Sequence, residues 1–315
     1  MRRERSALSA PVGSLLVVLA YAGMVSIWGT TWLGIKISLG GLPPLSGAGI
    51  RFLIAGSVLY ALALVLRVDL RRHAPPLRLV VVLALTMFGI NYALTYLAET
   101  HLASGLVAVL FGTLPFFVFA FAHRMVGELA TWRTIAGALL ALSGIVLISL
   151  AGGVRGDLVF VLAALVATAS SAFANVYLKK YADAEPLATL PPAMLVAGTG
   201  LTLGGLAFEH VDWHAATQPA TIAAVLYLAI LGSAIAFYLN HWLLQRVKSG
   251  VVGLSALMIP VLAVIVGALL GGEAFGAREL LGALLVILGI WFSLRSKVTP
   301  AARQIANGDS PPPLV

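Results

Sequence analysis

Charge is the scarcest commodity in this sequence. Asp, Glu, Lys and Arg together account for 10% of the 315 residues, against 60% for apolar side chains. A soluble globular chain carries roughly 25% charged residues, so this one has too few to coat a water-facing surface. Cysteine is absent altogether, which excludes disulfides and thiolate metal sites. Carboxylates avoid the middle of the apolar stretches, and no Asp-rich motif of the kind a membrane-embedded transferase uses to hold a metal is present. A retinal-type receptor needs a buried lysine near the centre of its last helix, whereas Lys297 lies at the end of the final apolar run. His210-Val211-Asp212-Trp213-His214 alternates metal-ligating types but sits in a hydrophilic break, where a hydrated cap is the plainer reading. The sequence therefore predicts no metal, no cofactor and no enzymatic activity.

What the chain does have is a series of apolar runs of about 20 residues, the length that crosses ~30 Å of hydrocarbon at ~1.5 Å per residue. Backbone polar groups in lipid must bond within their own segment, so such runs are helical. Charges, Pro and Gly break the series into ten spans at about 13–37, 45–66, 77–98, 102–123, 132–151, 157–178, 188–207, 220–244, 250–271 and 279–296. The basic start and Ala20-Tyr21-Ala22 imitate a cleavable signal. The apolar run continues past Ile35, however, beyond the 7–15 residues of a signal core. It reads as an uncleaved first span. The tail, 299–315, holds Pro311 to Pro313 and little to bury, and is predicted to be disordered.

A net charge of +8 suggests nucleic acid in a soluble protein, but here the basic residues lie between apolar runs rather than in one patch. With the N-terminus placed in the cytoplasm, sixteen Lys and Arg fall in inner loops and two, Arg155 and Arg278, in outer ones. The positive-inside rule then predicts a multi-pass plasma (inner) membrane protein with both termini cytoplasmic.

The chain also repeats itself. Shifted by 145, residues 104–145 fall on 249–290 without a gap and match at thirteen of forty-two positions. Ser104-Gly105 meets Ser249-Gly250, Pro115 meets Pro260, and Gly127-Glu128 meets Gly272-Glu273. Arg133 meets Arg278, and Gly137 and Gly144 meet Gly282 and Gly289; an offset of 143 pairs Lys36 with Lys179. Five spans per copy is an odd number, so the second copy enters the bilayer from the opposite side. The predicted fold is an all-α membrane protein of two inverted five-helix repeats around a central cavity, 1–150 and 151–298, followed by a cytoplasmic tail, 299–315. Inverted repeats are a transporter architecture, with the substrate near the midplane.

Trp28-Gly29-Thr30-Thr31-Trp32-Leu33-Gly34-Ile35-Lys36, Arg51-Phe52-Leu53-Ile54-Ala55-Gly56 and the two Ser-Gly, Pro, Gly-Glu series resemble the drug/metabolite transporter superfamily. The match is to its EamA-type ten-helix transporters and covers roughly residues 15–297. That resemblance implies a central cavity formed in part by helices 3, 6 and 8, with helices 5 and 10 peripheral. It also implies export of amino acids, related metabolites or amphipathic drugs.

Arg51 lies within the second span, where an arginine should face protein or water. It either holds a substrate carboxylate in bidentate fashion, or caps carbonyls or pairs with Glu99. Lys36, near the outer end of the first span, either gates or snorkels. Asn91 and Thr95, and Tyr92 and Tyr96, stack at i, i+4. With Ser171, Asn175, Tyr238, Asn240 and His241 they either bridge helices or line the path. Trp28 and Trp32 flank Gly29-Thr30-Thr31, a place for local unwinding that would offer the Thr31 hydroxyl to a ligand. Pro115 and Pro260 are the paired hinge candidates. Gly137, Gly144, Gly282 and Gly289 are spaced for close helix packing. Without a mid-membrane carboxylate to relay protons, facilitated transport is the leading mechanism, and His241-coupled antiport is the alternative. The expected partners are a small-molecule substrate and the lipid bilayer, not nucleic acid, for a monomer or weak homodimer.

Overall fold

The computed structural model describes residues 10–102, 107, 110–150, 158–181, 183–259, 261–262 and 277–294. Every regular element among them is helical. The first five helices are α1 (Ala10–Leu39), α2 (Pro44–Val65), α3 (Leu77–His101), α4 (Leu114–Val126) and α5 (Trp132–Leu150). Then follow α6 (Leu158–Lys180), α7 (Pro186–Phe208), α8 (Pro219–Leu244), α9 (Ser249–Ile259) and α10 (Ala277–Leu294). Among the described residues α1, α2, α3, α6, α7 and α8 are long and apolar enough to cross a membrane, while α4 and α9 are shorter apolar helices. The predicted fourth span is interrupted: the chain turns at Gly112-Thr113 and α4 starts at Leu114. Pro115 then sits in a first helical turn, where its missing N–H leaves no bond unmade. Its repeat mate Pro260, Glu273, which the sequence predicts for an outer loop, and the tail 299–315 lie outside the described residues.

Burial runs opposite to that of a water-soluble protein. Leu64, Leu162, Leu203, Leu206 and Ile287 are all more than half exposed, whereas Arg51 and Asn240 are 1% exposed and Asn91 4%. An apolar coat around buried polar groups is what a hydrocarbon solvent selects, because polar atoms there must find partners inside the bundle.

Contacts at the helix ends fix which termini meet. Lys179 touches the Leu244–Val247 stretch and Glu128 touches Ser249 at one end. At the other end, Glu209 accepts hydrogen bonds from the Leu45 and Ser46 N–H groups at 2.7 and 2.9 Å, and from the Ser46 hydroxyl at 2.8 Å. It thereby satisfies donors that the Pro43 N-cap leaves open.

Packing is mirrored between the halves. α1 packs on α8 as α6 packs on α3, α2 touches α8 as α7 touches α3, and α2–α7 and α5–α10 are the two broad contacts. The α5–α10 crossing depends on glycine. A Cβ on Gly144 would stand 2.5 Å from the Gly282 carbonyl oxygen, and Gly137 and Gly289 each face the other's carbonyl in the same way.

Two irregularities also match. α3 contains a π-helical segment at Leu83–Ile90 and α8 one at Ile230–Ile235, ending 145 residues apart (235 − 90), the spacing of the sequence repeat. In α3 the wide turn brings the Ala84 carbonyl within 2.8 Å of where a Cβ on Gly89 would be, so glycine leaves room for it.

Candidate functional site

Between the helices lies a cavity of about 750 Å³, counting its open mouth, within the range of small-molecule sites. α1 supplies Trp28, Thr31 and Trp32; α2 supplies Arg51; α3 supplies Asn91, Tyr92 and Thr95. From the later part of the chain come Ser171 and Asn175 on α6, Phe237 and Asn240 on α8, and Ser255 on α9. The π segments aim several of these side chains. One extra residue in a turn rotates all that follows by about 100°, and Asn91, Tyr92 and Thr95 follow the first π segment as Phe237 and Asn240 follow the second.

Among the described residues that line the cavity, Arg51 carries the charge. Its Nε donates to Ser233 Oγ at 2.7 Å, Nη2 to the Gly232 carbonyl at 3.1 Å, and Nη1 to the Tyr96 hydroxyl at 3.4 Å. The guanidinium lies 4.7 Å from the Tyr92 ring centroid, a cation–π distance. These partners are a hydroxyl, a carbonyl and phenols. The predicted alternative, pairing with Glu99, is not among the bonds Arg51 makes, although Glu99 is itself buried at 2% exposure. Carbonyl capping does occur, at Gly232, but it leaves the positive charge without a carboxylate among these partners.

An aromatic wall adjoins the cation. Phe237 meets Trp28 at 5.5 Å, Phe88 at 4.9 Å and Tyr92 at 6.2 Å between centroids, and Trp32 meets Phe111 at 5.5 Å. Beyond it the amides of Asn175 and Asn240 join α6 to α8: Asn240 Nδ2 donates to Asn175 Oδ1 at 2.8 Å, and Asn175 Nδ2 to the Ser171 carbonyl at 2.9 Å. Asn240 Oδ1 and Trp32 Nε1 are buried and meet no partner among the described residues.

Of the residues singled out from sequence, Trp28, Thr31, Trp32, Arg51, Asn91, Tyr92, Thr95, Ser171, Asn175 and Asn240 line this cavity. Tyr96 supports Arg51 from behind. Lys36 does not join them; it is exposed toward the Glu209 end of α1. Tyr238 and His241 are also off the lining. On α8 the cavity is faced by Phe237 and Asn240, and a residue one position further on points about 100° away. His241 is instead buried, 1% exposed, beside the Ala184 carbonyl. The expected unwinding at Gly29-Thr30-Thr31 is not seen. α1 is continuous there, and the Thr30 and Thr31 hydroxyls bond back to carbonyls of their own helix at Ile27 and Trp28, both at 2.8 Å. Sequence reasoning passed over Phe237, Phe111 and Ser255. The repeat offset carried a signal for Phe237, since Tyr92 and Thr95 fall on Phe237 and Asn240 when shifted by 145.

A cavity enclosed by helices from both halves of an apolar bundle is a setting for solute passage, and comparison with known proteins agrees. The chain is 29% identical over 275 residues to an uncharacterized inner membrane transporter, YedA, of Escherichia coli (strain K12), covering 84% of this chain and 86% of that one. It is 26% identical over 286 residues to a probable amino-acid metabolite efflux pump of Salmonella typhimurium, covering 86% and 92%. A crystal structure superposes with a TM-score of 0.77 at 22% identity, over 92% of this chain and 98% of the other, which establishes a shared fold. Residues 14–150 and 157–295 each match the EamA-like transporter family, and the chain belongs to that family, within the drug/metabolite transporter superfamily.

Proposed function

We propose that the protein is an inner-membrane exporter of small amphipathic metabolites that carry a carboxylate, amino acids among them, and that it works by alternating access. The observation that carries this reading is Arg51. A guanidinium 1% exposed, lining a cavity and bonded to neutral groups, is complemented by a carboxylate, which matches its planar fork. The aromatic wall beside it suits an apolar remainder. The names of the two relatives, an uncharacterized inner membrane transporter and a probable amino-acid metabolite efflux pump, point the same way.

Two inverted repeats, 1–150 and 151–298, rocking about the cavity supply the mechanism, and the mirrored helix contacts support it. At one end Lys179 Nζ donates to the Leu244 and Val247 carbonyls at 2.5 and 2.8 Å, tying α6 to the last turn of α8. Lys36, its counterpart in the repeat, is exposed. One end latched and its counterpart unlatched is the asymmetry that alternating access requires. The distribution of Lys and Arg supports a cytoplasmic position for the Lys179 end and both termini. Pro115 and Pro260 are the hinges of this motion.

Transport is facilitative in this reading, with no carboxylate side chain among the described cavity-lining residues to relay a proton. The second reading, proton antiport, draws on His241, which is buried close behind the cavity wall. Purified protein in liposomes under an imposed pH gradient separates them. Downhill exchange alone supports facilitation, and uphill flux lost in His241→Gln transfers the assignment to antiport. Failure to exchange any carboxylate-bearing solute removes the exporter reading itself.

A further inference from the structure

We propose that Asn240 Oδ1 is a specificity-determining acceptor, selecting solutes whose hydrogen-bond donor lies remote from their carboxylate. This rests on reading the cavity as the transport site. The orientation of the amide follows from its neighbours. The Ser171 carbonyl can only accept, so it takes Asn175 Nδ2 at 2.9 Å and turns Asn175 Oδ1 toward α8. Asn240 must then present Nδ2 to that oxygen, at 2.8 Å. Its own Oδ1 is left buried and facing no donor among the described residues, in a side chain 1% exposed that lines the cavity. Buried acceptors without a partner are rare in folded proteins, and one held in place by a two-amide relay is a preformed recognition group.

Its distance from Arg51 sets the shape of the solute. Arg51 is docked on Ser233 of the same helix, seven residues before Asn240 (240 − 233). At about 1.5 Å of rise per residue the two positions stand about 10 Å apart along the axis, and Arg51 and Asn240 both line the cavity. Taking about 3 Å for the hydrogen bond at each end leaves roughly 4–5 Å between carboxylate and donor atom. At roughly 1.25 Å per bond of extended chain, that is about four bonds. An α-ammonium is too close to its own carboxylate to reach Asn240 while Arg51 holds the acid. The favoured class is a monocarboxylate with an amine, amide N–H or hydroxyl about four bonds from the carboxyl carbon.

The test is counterflow in proteoliposomes containing the full chain. The probes are unbranched ω-amino and ω-hydroxy acids of two to six carbons, each compared with the alkanoate carrying a methyl in place of the donor. The expected result is a maximum near 4-aminobutanoate or 4-hydroxybutanoate, at least about tenfold above the methyl isostere. In Asn240→Leu the donor preference falls to within about twofold while the isostere is still carried, and Asn175→Ala, which frees the amide to rotate, gives an intermediate loss. A maximum for both probe types, or for the hydroxy acids alone, supports the assignment. Exchange without preference for donor or length, but abolished in Arg51→Ala, overturns the role of Asn240 and leaves the transport site standing. A four-carbon preference that persists in Asn240→Leu also overturns it. No exchange of any probe removes both readings. Should Asn240→Leu fail to fold, the length and donor series on the wild-type chain decides alone.

Discussion

The Glu128 carboxylate accepts the Ser249 hydroxyl at 2.6 Å and the Ser249 backbone N–H at 3.2 Å, so the loop after α4 caps the start of α9. These two residues come from opposite halves of the sequence, and the bond ties the halves together at the Lys179 end. Glu128→Ala is expected to lower stability by about 1 kcal/mol, the usual worth of a helix cap. The check is thermal unfolding in detergent of the single variant, of Ser249→Ala and of the double variant. Additive losses would show that the two residues are not coupled.

Arg51→Lys keeps the charge and loses the planar fork. Export of carboxylate-bearing solutes is expected to fall by at least about tenfold, because one bidentate charge-assisted contact is exchanged for a single point contact. Neutral amphipathic solutes of similar size should be carried at unchanged rates. Equal loss for both classes, with a lowered melting temperature, would assign Arg51 to structure through Ser233 and Gly232 instead.

The natural sequence has no cysteine, which gives a clean background for labelling. Single cysteines at Glu128 and Glu273 should react with an impermeant thiol reagent from opposite faces of the membrane. Reaction of both from one face would end the inverted-repeat reading.

Gly137 and Gly200 form a matched pair of tests. Gly137→Leu drives a side chain into the Gly289 carbonyl and the Ser293 backbone, and a loss of about 1–3 kcal/mol or more is expected from overpacking. A Cβ on Gly200, inside α7, meets nothing within 4 Å. Gly200→Ala should therefore raise stability by about 0.5–1 kcal/mol through helix propensity. Melting temperatures of the two variants must move in opposite directions.

Lys179→Met removes the bonds to the Leu244 and Val247 carbonyls. A cysteine placed at Ser255, on the cavity wall, is expected to become more reactive from the cytoplasmic side in that background, and not in Lys36→Met. Unchanged reactivity in Lys179→Met would remove the latch from the mechanism.

Much of the bundle was legible because lipid imposes a simple rule. A segment of about 20 apolar residues must be a helix there, and charges mark its ends, so α2 and α8 were placed to within a residue or two. The break ahead of α4 was less legible. Pro115 flagged it, but where a helix restarts depends on which carbonyls find donors after the turn at Gly112-Thr113. Lys36 shows the limit for charged residues: sequence places it near a helix end, and only packing decides whether that side chain turns inward or out to its present exposed position.

Sequence by itself determined the membrane class, the helical architecture, the 145-residue repeat and the presence of an arginine that lipid could not tolerate. Tertiary structure decided which face of each helix meets the cavity. Helices that are apolar all round carry almost no amphipathic signal, and the π segments in α3 and α8 turn the residues after them by amounts that composition does not encode. For that reason Phe237 and Asn240 face the cavity while Tyr238 and His241, each one position away, do not.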